Sequence, residues 1–326
     1  MLKRYKIIHM LLLLFLFFLP VDVHADTGTS KKYDNTIPSE LYRKYGIPEG
    51  YSLRILDGYK YIEKIVDNMD RPAEKKTMWD NYKKIFINNN RIKNGTVFYK
   101  KHKNKILDVS KQYDIIPEIL VSIIGVESYY GKHRFQYRAI DALGTLGFNY
   151  PRRRDYFMNE FKNYIIFTYE NGLDPFNIYS SYAGAIGLPQ FMPSSIYKYG
   201  IDFDGDSNID LVNSVADSVA SIANYLRKNG WENGKPTAIL VRMGNNVDMN
   251  KVLCCKRTIA DFKKLGVVFS LDSNNKYVCK IVALDNGSVP EYWATFDNFH
   301  ALKSYNPSDK YALAVFLLAK KIGIYL

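Results

Sequence analysis

The chain has 326 residues, enough for one large domain or two modest domains with a hydrophobic core. Its net charge of +12 predicts attraction to anionic surfaces such as cell-wall polymers or lipid headgroups, although the excess Lys could equally be a solvated surface. No nucleic-acid-binding motif is visible, so the sequence argues against nucleic acid as a partner.

The N-terminus predicts a secretory signal peptide over residues 1–25. A basic start is followed by a nearly unbroken apolar run at residues 7–19, and Pro20 ends this run. Small residues at Val23 and Ala25 suit a cleavage site directly after Ala25. We therefore expect an exported, periplasmic protein. If the signal is not cleaved, it would instead keep the protein associated with the membrane.

Most of the remaining chain predicts helices, because apolar residues recur with helical spacing. We expect a loosely packed lead-in at residues 26–50 and turns at residues 88–90 and at Asn94-Gly95. Alternating apolar residues predict short strands within 237–285. The predicted helices lie at 51–70, 78–86, 97–113, 117–131, 139–147, 157–169, 217–227, 259–265 and 309–323.

A single carboxylate stands near the end of the apolar stretch ILVSIIGVESYYG, residues 119–131. On a helix, Ile119, Ile123 and Glu127 lie on one face, so burial of the two Ile side chains would also desolvate Glu127. Desolvation raises the pKa of a carboxyl group, which is what a general acid near neutral pH requires. The alternative is a Glu at a fraying helix end, exposed or in a salt bridge.

Four motifs follow in order: GVESYYG, GFNYPRRRDYF, SYAGAIGLPQFMPSS and DFDGDSNIDL. Together they resemble the membrane-bound lytic transglycosylase B family, whose members cleave the glycan strands of peptidoglycan. The similarity runs from about Trp79 to Trp231 and resumes at residues 291–293 and 305–315. It implies a mainly α fold, with a lysozyme-like helical core, a small α+β insertion and an EF-hand-like loop.

The resemblance also implies a domain organisation. A catalytic core is expected to follow an N-terminal helical region, and the C-terminal helix is expected to return to that core. The predicted parts are the signal peptide (1–25), the N-terminal helical region (26–95), the lysozyme-like core (96–236), the strand-containing insertion (237–300) and the C-terminal helix (301–326).

In the family the Glu of the GVE motif is the one catalytic carboxylate, which here is Glu127. The resemblance implies cleavage of the MurNAc-GlcNAc β-1,4 bond with formation of 1,6-anhydro-MurNAc ends, without a catalytic cofactor. The remaining family positions bind substrate, with the arginines facing its anionic peptide or lactyl side. These positions are Ser181, Tyr182, Gln190, Arg152, Arg153, Tyr305, Asn306 and Tyr311.

The expected partners are peptidoglycan glycan strands and, as candidates, wall-synthesis proteins, and we expect a monomer. Two alternatives remain open at this stage. A hydrolytic muramidase would use the same Glu127 but release reducing ends. A non-catalytic peptidoglycan-binding scaffold would need neither Glu127 nor Gln190.

Acidic and amide residues alternate over residues 202–210 with the ligand spacing of an EF-hand loop, whose last position is residue 213. Asn213 replaces the usual bidentate Glu at the last position, so we expect a weak structural Ca²⁺ site without a catalytic role. An acidic turn without metal is the alternative. The predicted ligands are Asp202, Asp204, Asp206, Asn208 and Asn213.

The three cysteines permit one disulfide and one free thiol. Cys279 could pair with either Cys254 or Cys255. The sequence shows no Cys/His spacing typical of a zinc site.

Overall fold

The computed structural model describes residues 36–70, 77–269, 274–287 and 289–324. The predicted signal peptide over residues 1–25 therefore lies outside the described residues. Within the described ranges, no helix combines the length and apolar character that crossing a bilayer would require. This part of the chain is mainly helical, as predicted.

The elements are numbered in chain order. The helices are α1 Thr36–Tyr45, α2 Glu49–Gly58, α3 Glu63–Asp70, α4 Trp79–Phe86, α5 Asn89–Lys101, α6 Lys103–Tyr113, α7 Pro117–Ser128, α8 Ala139–Asn149, α9 Arg154–Glu170, α10 Pro193–Tyr199, α11 Val215–Lys228, α12 Met249–Leu253, α13 Ile259–Lys264, α14 Asp297–Tyr305 and α15 Asp309–Gly323. The strands are β1 Tyr137–Arg138, β2 Tyr179–Ser180, β3 Ala238–Met243, β4 Arg257–Thr258, β5 Val267–Phe269, β6 Val278–Leu284 and β7 Glu291–Thr295.

The described residues form two compact units that interleave along the sequence. The first unit combines residues 36–70 with Gly131–Ser221, and the second combines the described parts of Lys76–Tyr130 and Ile222–Leu326. The domain boundaries that the sequence suggested stay predictions.

The first unit is built around α9, against which α1, α8 and α10 pack. Phe157, Phe161 and Tyr164 of this helix are fully buried. The loosely packed lead-in predicted at residues 26–50 is wrong for residues 36–50, because α1 buries Ile37 and Leu41 completely. Residues 26–35 lie outside the described residues. Two apolar residues four positions apart form a helical face even in a polar segment, and this face packs on α2 and α9.

The second unit is built around α7 and α15, which pack against each other. Helix α7 also contacts α5 and α6, and every residue from Ile119 to Ser128 is buried. Helix α15 also contacts α4, α5, α14 and β6. Helix α7 is therefore buried on all sides rather than along a single stripe.

The turn predicted at Asn94-Gly95 is wrong, because both residues lie inside α5. A Cβ at Gly95 would lie only 2.6 Å from the Cδ1 of Ile322 and 2.6 Å from the hydroxyl of Tyr130. Gly95 thus allows other elements to approach α5 closely. A glycine that serves packing looks the same in sequence as a glycine that breaks a helix.

The second unit also contains an antiparallel five-stranded sheet with the order β4-β6-β7-β3-β5. Val252 of α12 and Phe262 of α13 pack into its apolar core together with Cys279. All three cysteines are free thiols, so the pairing suggested for Cys279 is not formed. Cys279 is directed into the core, whereas Cys254 is exposed.

Two glycines of the first unit provide a matched test of backbone crowding. Gly187 and Gly172 both have positive φ angles, of 73° and 59°. A Cβ at Gly187 would lie 2.2 Å from the carbonyl oxygen of Leu211, whereas nothing lies within 4 Å of a Cβ at Gly172.

We expect Gly172→Ala to cost about 1–2 kcal/mol of stability, the usual penalty for a left-handed non-glycine residue. Gly187→Ala should cost roughly 2–5 kcal/mol, because overpacking adds to that penalty. Chemical denaturation of both variants measures the difference. Equal losses would contradict the crowding seen at Leu211.

Candidate active site

Glu127 lies in the last turn of α7. Pro117 occupies the first turn of this helix, and Tyr129 ends it in the left-handed conformation, with φ 52°. The Glu127 residue is only 9% exposed, so its predicted burial is confirmed and the exposed alternative is excluded. The hydroxyl of Tyr311 donates a hydrogen bond of 2.7 Å to Oε1 of Glu127.

Tyr311 reaches Glu127 because it stands in the first turn of α15. Ser308 caps this helix by accepting a hydrogen bond from the backbone N–H of Tyr311. Burial raises the pKa of Tyr311 well above its ordinary value of 10, and the charge of Glu127 raises it further. The Tyr311 hydroxyl therefore keeps its proton and remains a donor throughout the neutral pH range.

Two further tyrosines extend this group of side chains. The ring of Tyr305 stacks nearly parallel to that of Tyr311, with centroids 6.2 Å apart, and Tyr225 meets Tyr305 edge-on at 4.9 Å. Burial raises the pKa of Tyr305 as well, and the charges of Glu127 and Tyr225 add to the effect. The structure thus brings Glu127, Tyr305 and Tyr311 together within the second unit.

Asn306 follows Tyr305 directly and ends α14 in an extended conformation. Its Oδ1 atom is buried without a hydrogen-bond partner. A buried amide oxygen without a partner is unfavourable, so an incoming N–H or O–H group would find an available acceptor there.

The end of α7 is also held by Arg91 of α5. The Arg91 guanidinium donates to the carbonyl oxygen of Gly125 and lies over the rings of Phe86 and Tyr129, at 5.0 and 4.7 Å. A cation at a helix C-terminus stabilises carbonyl groups that have no partner within the helix. The sequence did not point to Arg91 or Tyr225, because each joins this group of side chains through contacts with residues far away along the chain.

The first unit contains the predicted positions Ser181, Tyr182 and Gln190. Antiparallel bridges from Ile186 to Ser180 and Phe191 close this segment into a compact loop. The Ser181 hydroxyl oxygen accepts a hydrogen bond of 3.1 Å from the N–H of Ala185. Tyr182 is half-buried at the start of the loop.

Gln190 adopts an unusual conformation in this loop, with φ 52°. Its Nε2 donates to the carbonyl oxygen of Gly187 at 2.9 Å, whereas its Oε1 is buried without a partner. Non-glycine residues in the left-handed region concentrate at functional sites. The loop therefore presents an oriented amide with one available acceptor.

The predicted arginine pair lies on a short 3-10 helix, Pro151–Arg153. Arg152 forms an exposed ion pair with Asp70, with Nη1 and Oδ1 2.9 Å apart. The Arg153 guanidinium lies 4.1 Å from the ring centre of Tyr156, and its Nη1 atom is buried without a partner. The two arginines thus differ in their surroundings, and their contact with substrate stays a prediction.

The acidic loop of the first unit brings three carboxylates together. Asp202, Asp204 and Asp217 each place an oxygen within 4.8 Å of the others. Asp217 lies in the first turn of α11, beyond the EF-hand spacing, and sequence analysis missed it. It accepts hydrogen bonds from the backbone N–H groups of Phe203, at 2.9 Å, and Asp210, at 3.0 Å.

Burial raises the pKa of Asp217, and the charge of Asp204 adds to the effect. Three oxygen ligands with mutually repelling charges fit a hard divalent cation such as Ca²⁺. The Asn213 amide instead donates to Oδ2 of Asp210 at 2.9 Å, and the Asn208 backbone N–H donates to Oδ1 of Asp206 at 2.8 Å. The roles suggested for Asp206, Asn208 and Asn213 as ligands stay predictions.

Comparison with known proteins supports the fold that the sequence motifs predicted. Residues 30–320 match the family profile described as "Transglycosylase SLT domain". The chain is 32% identical over 294 residues to the membrane-bound lytic murein transglycosylase B of Escherichia coli K12. The matched residues make up 87% of this chain and 81% of that protein.

Two solved structures are similar over most of the chain. The Escherichia coli lytic transglycosylase Slt35, in complex with calcium, is 31% identical with a TM-score of 0.81, covering 90% of this chain and 94% of that one. SltB3 from Pseudomonas aeruginosa, in complex with NAG-anhNAM-pentapeptide, is 27% identical with a TM-score of 0.82. The match covers 91% of this chain and 80% of the SltB3 chain. The predicted lysozyme-like helical core is thereby confirmed.

The Tyr311 hydrogen bond can be tested by the pH dependence of stability. Tyr311→Phe should cost about 1.5–3 kcal/mol where Glu127 is ionised, because the buried carboxylate loses a donor. The cost should be smaller at a lower pH, where Glu127 carries its own proton. Tyr225→Phe is the control, since its hydroxyl donates to the neutral carbonyl of Ser304. Urea unfolding at several pH values measures both, and a pH-independent cost for Tyr311→Phe would contradict the assigned interaction.

Proposed function

Because the chain belongs to the transglycosylase SLT domain family, we propose that it cleaves the MurNAc-GlcNAc β-1,4 bond of peptidoglycan and leaves 1,6-anhydro-MurNAc ends, in cell-wall remodelling. The observation that carries this proposal is the buried Glu127 with its hydrogen bond from Tyr311. The solved SltB3 structure with NAG-anhNAM-pentapeptide supports an anhydro product.

Glu127 acts first as the general acid. The Tyr311 hydroxyl occupies Oε1, so the acidic proton resides on Oε2 and is delivered from there to the glycosidic oxygen. The leaving sugar departs with that proton, and positive charge develops at C1 of the MurNAc ring. The N-acetyl group of the same sugar stabilises this charge, as in substrate-assisted glycosidases.

Glu127 then acts as the general base. Its carboxylate takes the proton from the C6 hydroxyl of the MurNAc ring, and the C6 oxygen bonds to C1. The proton given to the leaving oxygen is thereby replaced, so Glu127 returns to its acid form and no water is consumed. The Tyr311 hydroxyl stabilises the carboxylate between the two steps, because it remains a donor when Glu127 is ionised.

Glu127 is the carboxylate whose charge raises the pKa of both Tyr305 and Tyr311. Most glycosidases use two carboxylates, and an inverting enzyme needs the second to activate water. We propose that Glu127 serves in both proton transfers.

The remaining predicted positions are proposed to hold the substrate. The unpartnered oxygens of Gln190 and Asn306 suit the N–H and O–H groups of N-acetylated sugars. Ser181 and Tyr182 supply further polar contacts, and Tyr305 offers an aromatic surface for sugar rings. Arg152 and Arg153 face the anionic peptide or lactyl side.

We also propose that the protein is exported and works in the periplasm as a monomer on glycan strands, with wall-synthesis proteins as candidate partners. The membrane-bound relative from Escherichia coli and the net charge of +12 support this setting, since the cell wall is anionic.

A structural Ca²⁺ ion is proposed at Asp202, Asp204 and Asp217. The calcium complex of Slt35 supports this proposal, as does the convergence of three carboxylates in this chain. The ion would neutralise their repulsion and hold the loop to the start of α11. We propose that the ion stabilises the fold and takes no part in a catalytic step.

Glu127→Gln tests the catalytic role. We expect it to lower the rate of release of soluble fragments from purified peptidoglycan by about 10²–10⁴-fold, because the amide cannot donate or accept the proton. Glu118→Gln is the matched control in the first turn of the same helix, and its rate should match wild type. Unchanged digestion by Glu127→Gln would exclude Glu127 as the catalyst.

Mass spectrometry of wild-type products separates the two chemistries. A lytic transglycosylase releases fragments one water lighter than those of a hydrolase. Products with reducing ends alone would favour the hydrolytic muramidase. Binding of the wild-type protein to intact sacculi without any product would favour the scaffold.

Calcium binding should raise the thermal stability of the wild-type protein. At a concentration 100 times Kd, binding to the native state adds about 2.7 kcal/mol. Asp204→Asn should weaken this effect strongly, whereas Asp155→Asn, at an exposed position in the first turn of α9, should leave it unchanged. Melting with calcium or with chelator measures the shift. The absence of a shift at millimolar calcium would contradict the proposed site.

A further inference from the structure

A pair of adjacent cysteines lies on the short connection between α12 and β4. Val252 on one side and Ile259 on the other are fully buried in the core of the sheet. Between these anchors Cys254 is exposed and Cys255 is partly exposed. Their Sγ atoms are in close contact, 2.7 Å apart. The fold therefore presents two accessible sulfur atoms side by side.

One member of this pair is prepared to react as a thiolate. The guanidinium Nη2 of Arg257 lies 3.8 Å from Sγ of Cys254. The adjacent Cys255 thiol lowers the pKa of Cys254, and Arg257 lowers it further. The thiolate is the nucleophile in disulfide exchange, so Cys254 is the attacking group and Cys255 is the resolving group.

The third cysteine provides an internal comparison. Cys279 lies directly opposite Arg257 in the pairing of β4 with β6. Its side chain is 1% exposed and packs into the core, and burial raises its pKa to about 12. Cys279 is thus close to the pair in the sheet, but it is unreactive because it is buried and protonated.

We propose that Cys254 and Cys255 form a reversible vicinal disulfide by exchange with a low-molecular-weight disulfide such as oxidised glutathione. Neighbouring Cα atoms are about 3.8 Å apart across a trans peptide, below the usual separation of about 4.4–6.8 Å between disulfide-linked residues. A bond between neighbours is therefore strained, and strained, exposed disulfides are readily reduced. The pair suits reversible oxidation rather than structural cross-linking.

The reaction proceeds in two exchanges. The Cys254 thiolate attacks one sulfur of the small disulfide, forms a mixed disulfide and displaces the first small thiolate. Cys255 then loses its proton, and its thiolate attacks Sγ of Cys254 and displaces the second. Two protein thiols are oxidised and lose two protons, and the small disulfide is reduced to two thiols that take up those protons.

The test begins with the fully reduced purified chain and oxidised glutathione, followed by intact and peptide mass spectrometry. We expect the loss of two hydrogen atoms, a link between Cys254 and Cys255, and an unmodified Cys279. Excess reduced glutathione should restore the starting mass. Absence of reaction, a link to Cys279 or failure to re-reduce would each overturn the proposal.

Two serine variants identify the order of attack. Cys255→Ser removes the resolving thiol, so a glutathione adduct should persist on Cys254. Cys254→Ser should form an adduct on Cys255 more slowly, because it lacks the activated nucleophile. A persistent adduct on wild-type protein, or equal rates for the two variants, would contradict the assigned roles. Circular dichroism confirms that both variants are folded.

Discussion

The hydrogen bond from Tyr311 to Glu127 is the interaction on which the candidate active site depends. A buried carboxylate is costly unless a donor stabilises its charged form. The donor here is 184 residues away in the chain, so the site exists only once α15 has packed against α7. The C-terminal helix α15 therefore supplies part of the candidate active site as well as part of the core.

The surroundings of α7 explain how Glu127 is held in place. The helix is buried on every side, Arg91 stabilises its C-terminal end, and Gly95 allows Tyr130 to pack closely against α5. Close packing leaves a side chain few alternative rotamers. A general acid placed on such a helix is oriented before substrate arrives, which reduces the cost of reaching the reactive geometry.

The first unit contributes a different kind of constraint. Its loop around Gln190 combines a left-handed backbone with one unpartnered polar atom, the Oε1 of Gln190, and its acidic loop gathers carboxylates that repel one another. Each arrangement is unfavourable by itself, and we propose that a ligand relieves each one: sugar groups in one case and a cation in the other. Local strain of this kind is tolerated where the surrounding fold maintains it.

Most of the helices, and the choice of Glu127 as the candidate acid, follow from the sequence alone, because helical spacing, capping and motifs are local. Residues 309–323 were predicted as a helix and form α15, and Glu127 was singled out from its own segment. Only the tertiary structure decided the donor to Glu127, the place of Asp217 beside the acidic loop and the separation of Cys279 from Cys254. These features depend on contacts between segments far apart in the chain, which no local pattern of residues encodes.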